Sequence, residues 1–350
     1  MPGKGTPVAT PVRVVLDAMG GDYAPEETVK GAVQALRSHP VQLTLVGDKD
    51  VVEAQLARYQ VGGLPVAVVA SEGKVGDDEH PVRGLQRKPR ASIMVATQLL
   101  KAGEADVLVS LGSTGASMAS AVMVLGLMDG LERPCLGGPF LGLAPRTVLV
   151  DLGSNVDCRP SLLLSFAVLG SLFAQKFLSI ENPRVGLLSV GAEEAKGNRQ
   201  VQESHRLLRD SHLNFIGNVE GMDFFTDRAD VIVCDGFVGN ILLKFAEGLG
   251  SALAPFLRQT LSPLLTPEQV ARIASDLWQV NNLPRIMGGP LFGVNGAVIL
   301  GHGSSKADGV AGAIGTAVRY VQLGLVDSMR EELTAIHRGS GPKSPLSPLL

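Results

Sequence analysis

The stretch VRVVLDAMGGDYAP, residues 12–25, decides the fold class. Its apolar run from Val12 to Leu16 has the length and content of a buried strand. Asp17 closes the run, and Ala18-Met19 lead into the pair Gly20-Gly21. Pro25 and the acids Glu26-Glu27 then open a helical pattern, where a proline and acids suit the first turn. Strand, glycine turn, helix is how α/β proteins present backbone N–H groups to an anion. The same grammar recurs along the chain, and it predicts an α/β fold with a mostly parallel sheet and helices on both faces.

Working outward, helices are expected at 26–38, 50–60, 91–101, 116–128, 160–177 and 307–323, with strands at 41–46, 65–70, 106–110, 146–150, 184–190, 230–233 and 293–300. Residues 1–11 read as a disordered tail and 338–350 as a loose one, both rich in Pro and small residues. The α/β domain takes 12–245 plus 283–326, and 246–282 reads as a protruding helical hairpin. Thr266-Pro267-Glu268 starts its second helix. The apolar tip of that hairpin, Pro255 to Leu265, needs a cover: the protein's own core, a second copy or a lipid surface. Residues 134–143 read as a Gly/Pro-rich connection. The polar loop Glu72 to Arg90 carries Arg83, Arg87, Lys88 and Arg90, and long loops in compact domains are usually functional.

Composition narrows the field. A chain of 350 residues with 45% hydrophobic content can bury a large core. Aromatics at 4% and a net charge of −3 argue against a nucleic-acid partner. The three cysteines lack metal-ligand spacing; their odd number, with no signal-peptide pattern read ahead of them, makes a reducing cytoplasmic setting the expectation. The apolar run Ser161 to Ala174 is short for a membrane span and reads as a buried helix.

At the carboxyl ends of the expected strands lie Asp17, Gly20, Gly21, Ser113, Thr114, Asn155, Lys196, Asn218, Asp235, Asn240, His302 and Ser304. Ligands of open α/β sheets bind on that side. The set is rich in donors and small residues and holds no metal-ligand cluster. G-x-S-x-G, the P-loop and the dinucleotide fingerprint are all missing from the chain. What remains suits an anionic substrate and the stabilisation of developing negative charge. The asparagines can equally serve as turn residues, and the aspartates as caps.

Seven stretches carry a resemblance: LDAMGGDYAP (16–25), LGSTGA (111–116), DLGSNVDC (151–158), VGLLSVGAEEAKGN (185–198), NFIGNVEG (214–221), CDGFVGNILLK (234–244) and GHGSS (301–305). In this order they resemble the PlsX family, the phosphate acyltransferases of bacterial phospholipid synthesis. Ser113 stands where that family usually has Asn. The resemblance implies transfer of a long-chain acyl group from acyl carrier protein to inorganic phosphate, without a cofactor or a metal. It implies a fold like isocitrate and isopropylmalate dehydrogenases and phosphotransacetylase, and a homodimer in the cytoplasm that touches the inner face of the membrane peripherally. A glycerol-3-phosphate acyltransferase would act downstream.

Under that resemblance Lys196 and the turns at Gly20, Gly21, Ser113, Thr114 and Ser304 would hold phosphate. Asn240 or Asn155 would donate to the oxyanion, Asp17 would orient, and His302 would orient phosphate or take its proton. Arg83, Arg87, Lys88 and Arg90, with Arg258 or Arg272, would dock the acidic carrier protein. Phe256, Leu257, Leu261, Leu264 and Leu265 would meet lipid or the acyl chain. The rivals are a coenzyme A-dependent phosphotransacetylase, an isopropylmalate-type dehydrogenase and a non-catalytic lipid- or carrier-binding scaffold.

Overall fold

The computed structural model describes residues 11–339, so the expected tails at 1–10 and 340–350 lie outside the described residues. In chain order the strands are β1 (Val12–Asp17), β2 (Val41–Gly47), β3 (Val66–Ala70), β4 (Val107–Ser110), β5 (Cys135–Pro139), β6 (Val148–Val150), β7 (Val185–Leu188), β8 (Phe215–Val219), β9 (Val231–Val233), β10 (Gly289–Phe292) and β11 (Ala297–Leu300). The helices are α1 (Glu26–Ser38), α2 (Lys49–Leu56), α3 (Pro81–Arg87), α4 (Ser92–Lys101), α5 (Thr114–Val124), α6 (Pro160–Phe177), α7 (Arg199–Arg209), α8 (Gly236–Leu261), α9 (Pro267–Asn281), α10 (Leu283–Met287), α11 (Ala307–Gln322) and α12 (Leu325–Gly339).

The chain divides into two compact units. Unit 1 joins the chain up to Leu125 to Gly296–Gln322, and unit 2 joins Gly126–Asn295 to the chain from Leu323. The sequence reading instead placed one domain over 12–245 plus 283–326. Its boundary at 245/246 falls inside α8, which runs unbroken from Gly236 to Leu261. Arg338 and Gly339, assigned to a loose tail, end α12.

Unit 1 holds a fully parallel sheet in the order β3-β2-β1-β4-β11. Every residue of β4 and β11 is buried, as expected of parallel strands covered on both faces. Helices α1 and α11 pack together, and Glu27 of α1 accepts the Ala307 N–H at the start of α11 at 2.8 Å. Residues 72–90, read as one loop, contain the short helix α3, opened by Pro81 at its first position.

Unit 2 orders its strands β10-β5-β6-β9-β7-β8. Both pairings of β5 are antiparallel and the rest are parallel. The Gly/Pro-rich connection expected at 134–143 thus holds a strand. Its sequence CLGGP has little strand propensity, and pairing on both sides overrides that. The buried reading of α6 holds: Phe166 and Phe173 are fully enclosed, and Phe173 stacks on Phe177 with centroids 4.7 Å apart. Helices α8 and α9 pack on each other, and Thr266 caps α9 in a reciprocal box with Gln269.

Candidate active site

In unit 1 three turns meet at the carboxyl ends of β1, β4 and β11. Asp17 is buried at the end of β1 and accepts from Ser110 Oγ at 2.9 Å and from the Met19 N–H at 3.2 Å. Ser110 Oγ in turn accepts from the Gly112 N–H at 3.2 Å. The turns approach so closely that a Cβ on Gly20 would sit 2.6 Å from the Gly112 nitrogen. Only glycine fits there. Gly21 has φ of 107°, and the next residue, Asp22, donates its N–H to the Gly303 carbonyl at 2.8 Å, tying in the turn after β11.

These turns enclose a cavity of about 140 Å³ lined by Asp17, Gly20, Gly21, Ser113, Ser117 and Gly303 among others. Ser113 occupies the N-cap position of α5, and its side chain makes no capping bond. The start of that helix therefore presents free donors to the cavity. The volume suits a small inorganic anion. Lys74 lines it and supplies positive charge. Asp17, Asp22 and Asp77 line it too, and their oxygens can accept a proton from a phosphate O–H. Burial pushes the Asp17 carboxyl above its ordinary range, against the Ser92 and Ser110 hydroxyls and the Met19 and Gly20 N–H groups. A carboxyl held toward its neutral form repels an anion less.

Of the expected unit 1 residues, Asp17, Gly20, Gly21 and Ser113 line this cavity, whereas Thr114, His302 and Ser304 are outside its lining. His302 is bound to Ser304: the Ser304 N–H donates to Nδ1 at 3.2 Å, and Ser304 Oγ lies 2.9 Å from the same nitrogen. Nδ1 therefore acts as an acceptor, which assigns the proton of the neutral ring to Nε2. Lys74, Ser110 and Ser117 were missed. Lys74 follows Gly73 in the polar loop, a signal overshadowed by the denser arginines after it.

In unit 2 the turn after β6 is built on Asp151, which is fully buried. Its Oδ1 accepts the N–H of Gly153 and Ser154 at 3.1 and 3.0 Å, and its Oδ2 accepts the Asn155 N–H at 2.8 Å. Asn155 Nδ2 donates to Asp151 Oδ2 at 2.9 Å and to the Pro134 carbonyl at 2.8 Å. Both amide hydrogens of Asn155 are thereby committed, so this side chain holds the turn and has no donor left for an oxyanion. Asn240 differs. It is exposed in the first turn of α8, beside Gly153, with no hydrogen-bond partner for its amide among the described residues. Asp235 caps α8, accepting the Val238 N–H at 2.9 Å.

Lys196 is exposed on the loop between β7 and α7. That loop is braced from below. Asn218, fully buried, donates Nδ2 to the Glu193 carbonyl at 2.8 Å, and its Oδ1 faces His205 Nδ1 at 2.9 Å. The Lys196 N–H also donates to the Glu193 carbonyl, at 3.0 Å. Asn218 thus supports the loop from the interior.

The comparisons with known proteins agree with this architecture. The family described as Fatty acid synthesis protein matches residues 12–328. A protein of Desulforamulus reducens named Phosphate acyltransferase is 42% identical over 325 residues, 92% of this chain and 97% of its own. One of the same name from Thermosynechococcus vestitus is 44% identical over 324 residues, covering 89% and 92%. The chain belongs to this family, the PlsX phosphate acyltransferases. Among solved structures, a phosphotransacetylase from Streptococcus pyogenes aligns with a TM-score of 0.61 at 19% identity, covering 90% of this chain and 95% of its own. That likeness concerns the fold.

Unit 2 also holds the three thiols, Cys135, Cys158 and Cys234. Burial pushes the Cys158 thiol up to about 12, with Asp151 adding to the effect, and raises Cys135 and Cys234 well above the usual range. None is a ready thiolate. Of the basic segment, Lys88 pairs with Glu79 at 2.6 Å and Arg90 with Glu72 at 2.6 Å, while Arg83 and Arg87 are exposed on and beside the turn of α3. Among the described residues no group of three or more His, Cys, Asp or Glu side chains is placed to hold a metal.

Proposed function

We propose that this protein moves a long-chain fatty acyl group from acyl carrier protein to inorganic phosphate, giving an acyl phosphate for phospholipid synthesis. The observation that carries the reading is the small cradle of unit 1, where the Gly20, Gly112 and Gly303 turns and the open start of α5 surround a space sized for an inorganic anion. The curated relatives at 42–44% identity carry the name phosphate acyltransferase.

A thioester needs no covalent enzyme nucleophile. A phosphate oxygen attacks the thioester carbonyl, the C–O bond forms, the C–S bond breaks, and the carrier leaves as its thiolate. The cradle fixes the attacking anion, which supplies proximity. Asp22 or Asp77, both in the cradle lining, accepts the phosphate O–H, and His302 is left to orient the anion through Nε2–H. Within unit 2, Asn240 offers its amide, unpaired among the described residues, as a donor to a developing oxyanion. Lys196, exposed on its own loop in unit 2, is a point charge available to an anionic group of the substrate.

The partner reading rests on surface character. Arg83 and Arg87, with Arg258 and Arg272 on α8 and α9, are exposed cations for the acidic carrier protein. Helix α8 leaves Phe237, Ile241, Phe245, Leu249 and Phe256 exposed, and Leu264 follows at the turn. An apolar face of that extent suits a second copy of the chain and peripheral contact with the cytoplasmic face of a membrane. The isocitrate dehydrogenase-like label and a protruding hairpin of α8 and α9 belong to the same reading, as does a glycerol-3-phosphate acyltransferase that consumes the product.

The test is product identification. Protein, palmitoyl-carrier protein and phosphate are mixed, and hydroxylamine then traps acyl phosphate as palmitoyl hydroxamate. Hydroxamate formed only with phosphate present supports the reading; free palmitate alone, or no release, overturns it.

A further inference from the structure

A second cavity lies within unit 2, at the carboxyl ends of β7 and β9, and it measures about 390 Å³. That falls in the ~300–1,000 Å³ range of small-molecule sites. Four elements supply apolar walls: Leu163 from α6, Leu187 from β7, Val201 from α7, and Val238 and Leu242 from α8. The lining contains no aromatic ring and no Lys or Arg. No side chain there can stack on a nucleobase or offer a cation to a phosphate.

Three polar side chains of the lining each make a hydrogen bond that holds the local backbone. Asp235 caps α8, Asn198 accepts the Val201 N–H at 2.9 Å, and Gln200 Nε2 donates to the Cys158 carbonyl at 2.7 Å. The buried polar atom left over is that of Ser189, the residue that follows β7. Its hydroxyl is buried without a hydrogen-bond partner among the described residues. A buried hydroxyl in that state is costly unless a ligand pairs with it. Ser189 Oγ lies 3.1 Å from where a Cβ on Gly197 would sit, so it shares one edge of the cavity with the loop that bears Lys196. The cavity is therefore largely apolar, with its one carboxylate, Asp235, engaged as the cap of α8, and it holds one buried unspent hydroxyl beside a catalytic candidate. These are the needs of an aliphatic chain ending in a carbonyl.

We infer that this cavity holds the aliphatic chain of the acyl substrate, that the Ser189 hydroxyl donates to its carbonyl end, and that the depth between Val201, Val238 and Leu242 sets the preferred chain length. The inference rests on the acyl-transfer reading above. Each methylene buried should raise affinity about fourfold until the cavity is full.

The experiment measures kcat/KM for carrier protein charged with octanoyl to stearoyl chains, on the native protein and on Val201→Phe and Val238→Phe. The expected result is a steep rise with length in the native protein and a roughly tenfold or greater loss of the palmitoyl-over-octanoyl preference in the variants, equivalent to about two methylenes. An unchanged preference overturns the inference. Ser189→Ala should raise KM for every chain length alike; an unaltered KM removes the hydroxyl from the proposal. Should the Phe variants fail to fold, the native protein is labelled with a fatty acid bearing a terminal diazirine. Cross-links to peptides containing Leu187, Val201 or Leu242 support the cavity, and cross-links confined elsewhere overturn it. Absence of phosphate-dependent release with every chain length would instead refute the acyl-transfer reading, and the labelling result would stand apart from it.

Discussion

Lys196 and Asp17 show how far a single side chain's surroundings decide its use. Lys196 is exposed, and its ammonium has no partner among the described residues, so its removal should cost little stability. Lys196→Ala is expected to lower kcat by about 100-fold or more while circular dichroism and Tm stay near native. Near-native turnover would take the residue out of the mechanism. Asp17 is the opposite case. Burial raises its folded carboxyl above the unfolded value, so the ionised form is the costly one. Its contribution to stability is best below the unfolded pKa and worsens as pH climbs through the raised one. Asp17→Asn lacks that penalty. Its Tm should exceed the native Tm at neutral pH, and the gain should vanish toward about pH 4; a gain that is equal at both pH values would contradict the assignment. Asn155 carries a separate lesson. Its residue type suits an oxyanion donor and a turn alike, and only the two committed amide hydrogens reveal which it is.

At the scale of elements, the start of α8 is fitted against the Asp151 turn with no space to spare. A Cβ on Gly239 would fall 1.8 Å from the Asp151 carbonyl oxygen. Gly239→Ala must displace either the helix or the turn, at a cost of about 1–3 kcal/mol or more. A lowered Tm is expected, together with a loss of activity that Asn240 shares because it rides on the same turn; a native Tm would mean that the helix is free to shift. The far end of α8 makes a different claim. Phe256 and Leu264 are 59% and 76% exposed, and burying each is worth roughly 1.5–3 kcal/mol. Phe256→Ser with Leu264→Ser should reduce vesicle co-flotation at least about tenfold, whereas equal flotation would assign the tip to another contact.

For the whole molecule, βαβ alternation was readable because strands buried on both faces become apolar runs bounded by glycine turns, as β1, β4 and β11 do. The strands β5 and β10 were not readable. CLGGP and GPLF look like connections, and it is their antiparallel pairing, with each other and of β5 with β6, that makes them strands. The division into units at Leu125 and Gly296 was hidden as well, since it leaves no break in composition at either residue. The cradle was half legible. Its glycines announce a tight turn, but the lining by Lys74 and Ser117 and the Ser110 bond to Asp17 depend on which turns meet, a property of topology rather than of spacing.

The central claim is that this cradle presents inorganic phosphate to a fatty thioester. Its most direct test is thiol release from palmitoyl-carrier protein, followed across phosphate concentrations in the native protein and in Lys74→Ala. The expected result is saturable release that disappears without phosphate, with the half-saturating phosphate concentration raised about tenfold in the variant, the loss of one charge-assisted contact. Release that proceeds equally without phosphate, or a half-saturation point unmoved by Lys74→Ala, would contradict it.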